Sequence, residues 1–125
     1  MTYYPTVGDI LYIHNLSIQK WGGKSGVRDA HGLAAAVGRL HTGYYGDAIE
    51  EAAALFESLS QNHPFLDGNK RTAIASTVAF LATNGYRVEF IDSEAHALLL
   101  SLYEGVGVSK APIESWLRNC ARHLS

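Results

Sequence analysis

A helix with apolar or small residues around nearly its whole circumference has no face to offer water, so other elements must enclose it. Residues 73–81 make such a stretch, with Ala73, Ile74, Thr77, Val78, Phe80 and Leu81 spread around the helical wheel. This predicts a central buried helix and requires the rest of the chain to wrap it. The chain has 125 residues, which suits a single domain over 1–125. Its hydrophobic fraction of 47% and charged fraction of 18% are those of a folded globule able to bury a core.

The wrapping elements also read as helices. Thr6 with Asp9 three residues later is a capping box, and an apolar run from Ile10 through Ile18 to Trp21 follows it. Gly22 and Gly23 end that helix. Asp29 caps a second helix through Leu40, and Gly43-Tyr44-Tyr45-Gly46 breaks it. Asp47 with Glu50 is another capping box, opening a helix that ends near Asn62. Pro64 disfavours the α conformation at His63, and helix resumes near Gly68. Asn84-Gly85 stops the apolar helix, Arg87 to Ile91 is a short extended piece, and Ser93 and Ser109 cap two last helices. About six helices with almost no strand make an all-α fold, a compact six-helix bundle.

Bulk properties exclude several functions. The net charge of −2 gives no field favouring nucleic acid or an anionic membrane. Cys120 is the single cysteine, so neither an internal disulfide nor a C-x-x-C site can form. The start has no signal-peptide pattern, and no apolar run approaches a membrane span. We therefore expect a cytoplasmic protein.

Between two helical stretches lies His63-Pro64-Phe65-Leu66-Asp67-Gly68-Asn69-Lys70-Arg71-Thr72. A helix N-terminus attracts phosphate through free N–H groups and its partial positive charge. Gly68 permits close backbone approach, while Asn69, Lys70 and Arg71 supply an amide and two cations. Asp67 is an oxygen ligand of the kind Mg²⁺ takes beside phosphates. His63 suits a general base. Phe65 points inward as the anchor of the loop. Taken singly, each is ordinary: a lone histidine is usually structural, and Asp-Gly-Asn is often just a turn. The segment is no P-loop, because the glycine spacing and the hydroxyl after lysine are missing.

The ordered set resembles the signature of the Fic/Doc family, H-P-F-x-[DE]-G-N-G-R-x-x-R. His63, Pro64, Phe65, Asp67, Gly68, Asn69 and Arg71 match it. Lys70 replaces a glycine and Ile74 a second arginine, and both departures resemble the Doc branch. Trp21-Gly22-Gly23, Gly26-Val27-Arg28-Asp29 and Asn84-Gly85-Tyr86 extend the likeness over nearly the whole chain. The resemblance implies a Fic/Doc-type bundle and a toxin of a toxin–antitoxin pair. Such a toxin transfers the ATP γ-phosphate to a threonine of elongation factor Tu and arrests translation. His63 would take the hydroxyl proton, Asp67 would hold Mg²⁺, and Gly68, Asn69, Lys70 and Arg71 would bind phosphates. Fic enzymes that transfer AMP need the space that Lys70 fills and the charge that Ile74 lacks.

The likeness also implies that the segment Gly43, Tyr44, Tyr45 and Gly46 is a flap for the target, of β form if it pairs; a plain interhelical loop is as good a reading. Arg28-Asp29 reads either as an ion pair near the site or as a helix cap by Asp29, and His14 as a core residue. Gln61 stands where relatives often carry a cation. Ser101-Leu102-Tyr103-Glu104-Gly105 resembles an inhibitory helix motif but is one residue short, so restraint is expected from a Phd-like antitoxin in a groove between helices. Three other readings compete: AMP transfer, a helical docking module without activity, and a nuclease using the Arg118-x4-His123 spacing.

Overall fold

The structure, a computed structural model, describes residues 2–89, 92–104 and 107–124. Helix α1, Val7–Trp21, begins with the full capping box: the Thr6 hydroxyl accepts from the Asp9 N–H at 3.1 Å, and the Asp9 carboxylate from the Thr6 N–H at 2.9 Å. It ends at Gly22. Helix α2, Ala30–Gly38, is capped by Asp29 through the Gly32 N–H and runs into a 3-10 turn, Arg39–Thr42. Helix α3, Ala48–Asn62, takes its cap from Asp47. The Glu50 carboxylate reaches past Asp47 to the Gly46 N–H, so this second capping box is shifted by one residue. Helix α4, Asn69–Thr83, is followed by strand β1, Tyr86–Val88, and helix α5, Asp92–Glu104. Helix α6, Lys110–Cys120, runs into strand β2, Ala121–His123. The strands pair antiparallel, with Tyr86 opposite His123 and Val88 opposite Ala121.

The architecture is all-α, as expected, but the central helix is α3. Ten of its fifteen residues are buried, against six of fifteen in α4. It packs against α2, α4 and α6, and Ala52, Ala53 and Ala54 let these neighbours approach its backbone closely. The periodicity of α4 misleads because Ala75, Ala79 and Ala82, apolar by type, face solvent. Alanine has so little surface that exposing a row of it costs little.

Smaller expectations change as well. Ser93 is the second residue of α5, not its cap, and Gly105 of the inhibitory-like motif lies outside the described residues. The extended piece starts at Tyr86, and Phe90 and Ile91 lie outside the described residues. Ser109 precedes α6 without a side-chain cap bond; Glu57 on α3 accepts the Lys110 N–H instead, at 2.6 Å. Arg118 is paired with Asp47 and Glu114, and His123 packs edge-on against Tyr86. Both residues of the nuclease spacing therefore have structural work.

The 43–46 segment is a bend without strand pairing. The Tyr45 hydroxyl accepts from Arg39, and its ring lies 5.8 Å from both the Arg39 and Lys110 cations. Arg39 is in turn paired with Glu57, and Lys110 with Glu50. Tyr44, in contrast, projects outward with 87% exposure.

Candidate active site

The site forms where α3 stops and α4 starts. His63 closes α3 in the left-handed conformation, φ 45° and ψ 57°, and is the one non-glycine residue with positive φ among those described. This conformation turns the chain out of the helix ahead of Pro64 and leaves the imidazole exposed. Two residues on, Phe65 is 1% exposed and anchors the loop from within, as its apolar character predicts.

The loop is held from three sides. Asn69 binds the Phe65 backbone at both ends, with its Oδ1 accepting the N–H and its Nδ2 donating to the carbonyl, each at 3.0 Å. Its side-chain amide therefore shapes the loop, and it has one Nδ2–H and its main-chain N–H left for an anion. His14 of α1, 2% exposed, stacks on the Phe65 ring at 3.8 Å and 5°. Its Nε2 lies 2.8 Å from the Asp67 carbonyl, which can only accept, so Nε2 carries the proton. Third, 26–29 runs beside 64–66: Arg28 and Asp29 donate their N–H groups to the Pro64 carbonyl, and Leu66 donates to Gly26. The Arg28 guanidinium donates to the His63 carbonyl at 2.8 Å and to the Asn62 carbonyl at 2.9 Å. These groups end α3 without intrahelical partners, and a cation there also complements the helix dipole. Arg28 and Asp29 thus act separately, one on α3 and one on α2.

Asp67 is exposed, and its carboxylate accepts from the Lys24 N–H at 3.2 Å and from the Gly68 N–H at 2.8 Å. These bonds, with Arg71 and Lys24 nearby, hold the carboxyl below its ordinary range. Gly23 makes this arrangement possible: at its φ of +113°, a Cβ would lie 2.6 Å from the Asp67 Oδ2. Gly68 stands as the N-cap of α4 at φ 75° and has no side chain to cap the first turn. The leading N–H groups of α4 are left without a side-chain acceptor, and α1, α2 and α3 differ in each having one.

The two cations diverge. Arg71 donates to the Gly22 carbonyl at 3.0 Å and keeps further N–H groups for an anion. Lys70 sets its ammonium 4.5 Å from the centroid of the Tyr103 ring on α5. Ile74 lies one turn along α4 and lines a groove of about 650 Å³ with Ile13, Leu16, Trp21 and Arg71. Gln61 donates to the Val108 carbonyl, so it supports the approach to α6 and brings no charge to the site.

The structure thus gathers Asp67, Gly68, Asn69, Lys70 and Arg71 around the start of α4, with His63 at the end of α3 and Phe65 beneath. The 43–46 segment is tied to the 3-10 turn and α6. Sequence reasoning read Gly23 as a helix end and family-like position and Tyr103 as part of a motif of the wrong spacing, gave Lys24 no role, and placed His14 in the core without its loop contact. The glycine pair after Trp21 was the one available sign, since two adjacent glycines do more than end a helix.

The model of the Fic/DOC family matches residues 4–81. A protein called Toxin Doc from Mycolicibacterium smegmatis is 42% identical over 93 residues, covering 70% of this chain and 69% of its own. Protein kinase doc of Escherichia phage P1 is 33% identical over 87 residues, covering 64% and 67%. With the motif folded into one loop and helix start and relatives of these names alongside, the chain belongs to the Fic/DOC family and, within it, to the Doc branch.

Proposed function

We propose that this Doc-type toxin is a protein kinase that moves the γ-phosphate of ATP to a threonine hydroxyl of elongation factor Tu. The observation that carries the reading is the start of α4: a helix without a side-chain cap, with Asp67, Lys70 and Arg71 around it and the apolar Ile74 one turn on. Phosphoryl transfer needs positioning and charge stabilisation more than covalent chemistry from the protein. The free N–H groups, Lys70 and Arg71 offer both to phosphate oxygens. His63, exposed at the rim, takes the proton of the attacking hydroxyl. The relative named as a protein kinase supports phosphate transfer over AMP transfer.

Mg²⁺ fits this donor set. Among the described residues no cluster of three ligating side chains exists, and one ionised carboxylate beside phosphates is the usual setting for this ion. Asp67 would hold it, and bound there it would neutralise phosphate charge. Lys24 and Gly68 keep the carboxylate ionised and aimed.

Restraint comes from an antitoxin of the Phd type. The groove between α1 and α4 suits an amphipathic segment: it is apolar along Leu16, Trp21 and Ile74, with Lys20 and Arg71 at its edge to pair with acidic residues. No helix among the described residues is long and apolar enough to cross a membrane.

Incubating the chain with elongation factor Tu and either γ- or α-labelled ATP tests this reading. The γ label should stay with the target, and His63→Ala should abolish the transfer. Absence of label from both nucleotides with wild-type protein would refute the kinase assignment.

A further inference from the structure

The stretch around Tyr103 resembled an inhibitory motif of the wrong spacing, and the function described so far makes no use of it. We infer that Tyr103 is a positioning residue for Lys70, holding its ammonium at the nucleotide-phosphate site. The inference rests on Lys70 contacting phosphate.

The ammonium of Lys70 lies 4.5 Å from the centroid of the Tyr103 ring, within the range of a cation–π attraction. The ring is itself fixed. Tyr103 is half-buried, and its hydroxyl donates to the Ser60 Oγ at 2.8 Å. Ser60 is 3% exposed in α3, the most enclosed helix. Burial also raises the phenol above its ordinary range, so at neutral pH it stays a neutral donor. A flexible lysine in the first turn of α4 is thus given one preferred direction by a platform spanning α5 and α3. An ordered cation loses less freedom on meeting a phosphate than a free one. The ring engages one side of the ammonium, whose three N–H donors leave others free for a phosphate oxygen while Lys70 stays over Tyr103. No other cation–π contact among the described residues involves a residue of the motif.

A double-mutant cycle on Mg²⁺-ATP binding, read by calorimetry on the full chain, tests this. Tyr103→Leu removes the ring and should weaken binding by roughly 3- to 10-fold, the scale of one cation–π contact. Tyr103→Phe keeps the ring over Lys70, loses only the Ser60 bond, and should bind within about twofold of wild type. In a Lys70→Met background, Tyr103→Leu should have no further effect, because its partner is gone. A Tyr103→Leu effect of equal size in both backgrounds would overturn the inference by showing a general role in packing. So would wild-type binding by Tyr103→Leu while Lys70→Met binds weakly. Unchanged binding by Lys70→Met would instead remove the phosphate role of Lys70, and the inference with it. Thermal unfolding of each variant identifies any that fail to fold, and Tyr103→Phe against Tyr103→Leu repeats the comparison with the smaller change.

Discussion

Single residues decide whether the site loop keeps its shape. Gly23 is the most exposed to test. Gly23→Ala would set a methyl group against the Asp67 carboxylate at a φ that side chains rarely adopt. We expect a loss of about 1–3 kcal/mol of stability from the strained backbone, together with weaker Mg²⁺ dependence of ATP binding. Wild-type behaviour in both denaturant unfolding and Mg²⁺ titration would show that Asp67 need not be held there. Arg28→Met removes two bonds to the closing carbonyls of α3. Because Arg28 is exposed, the stability cost should be modest, about 1 kcal/mol. The turnover number should fall more than ATP affinity, since the residue it steadies, His63, is the proposed base and no proposed phosphate ligand. A fall in affinity alone, measured in steady-state kinetics, would contradict this.

At the scale of elements, the site is the junction of α3 and α4, and the two helices should respond differently to the same change. Ala53 is fully buried on α3, so Ala53→Leu should overpack the core and cost about 1–3 kcal/mol. Ala79 faces solvent on α4, and Ala79→Leu should change stability by no more than about 0.5 kcal/mol. Equal effects in denaturant unfolding would restore α4 as the central helix. The junction itself depends on Asn69. Asn69→Ala frees both backbone groups of Phe65 and should cost about 2 kcal/mol, one ordinary hydrogen bond at each end.

These helices also mark how far the sequence could be read. Caps and breakers work through neighbours in the chain, which is why Thr6, Asp29, Asp47, Pro64 and Gly85 placed their boundaries well. Burial depends on what arrives from elsewhere, and alanine gives no clue, so α3 and α4 exchanged roles. In the site, the motif told which residues gather around one loop. It could not tell that Asn69 turns inward to Phe65, or that Arg28, Lys24 and His14 come from 35 to 53 residues away to hold the loop.

For the molecule as a whole, a charged network ties the 3-10 turn, α3 and α6 together and makes stability depend on pH. Hydrogen bonding by Arg118 lowers the Asp47 carboxyl below its usual 3.8, and the Gly46 N–H and then Lys110 lower Glu50 below 4.5. Carboxyls lowered by folding contribute stability that is complete above these ordinary values and is lost as pH falls through the folded ones. Lys110 is raised above 10.5, chiefly by Glu50, so its contribution is complete below that value and is lost as pH rises past the folded one. The melting temperature should therefore hold near neutrality and fall below about pH 4. Arg118→Met should lower the neutral plateau slightly and flatten the acid fall. An acid limb unchanged by Arg118→Met would remove this pair from the account. Because the pairs are partly exposed, salt should weaken the effect.

The same frame carries the central claim, that a family site able to use either end of ATP is set here to pass on phosphate. The intact mass of elongation factor Tu after incubation with this chain, ATP and Mg²⁺ tests it most directly. The account predicts the addition of one phosphoryl group, absent with His63→Ala. Addition of an adenylyl group by the wild-type chain would contradict it.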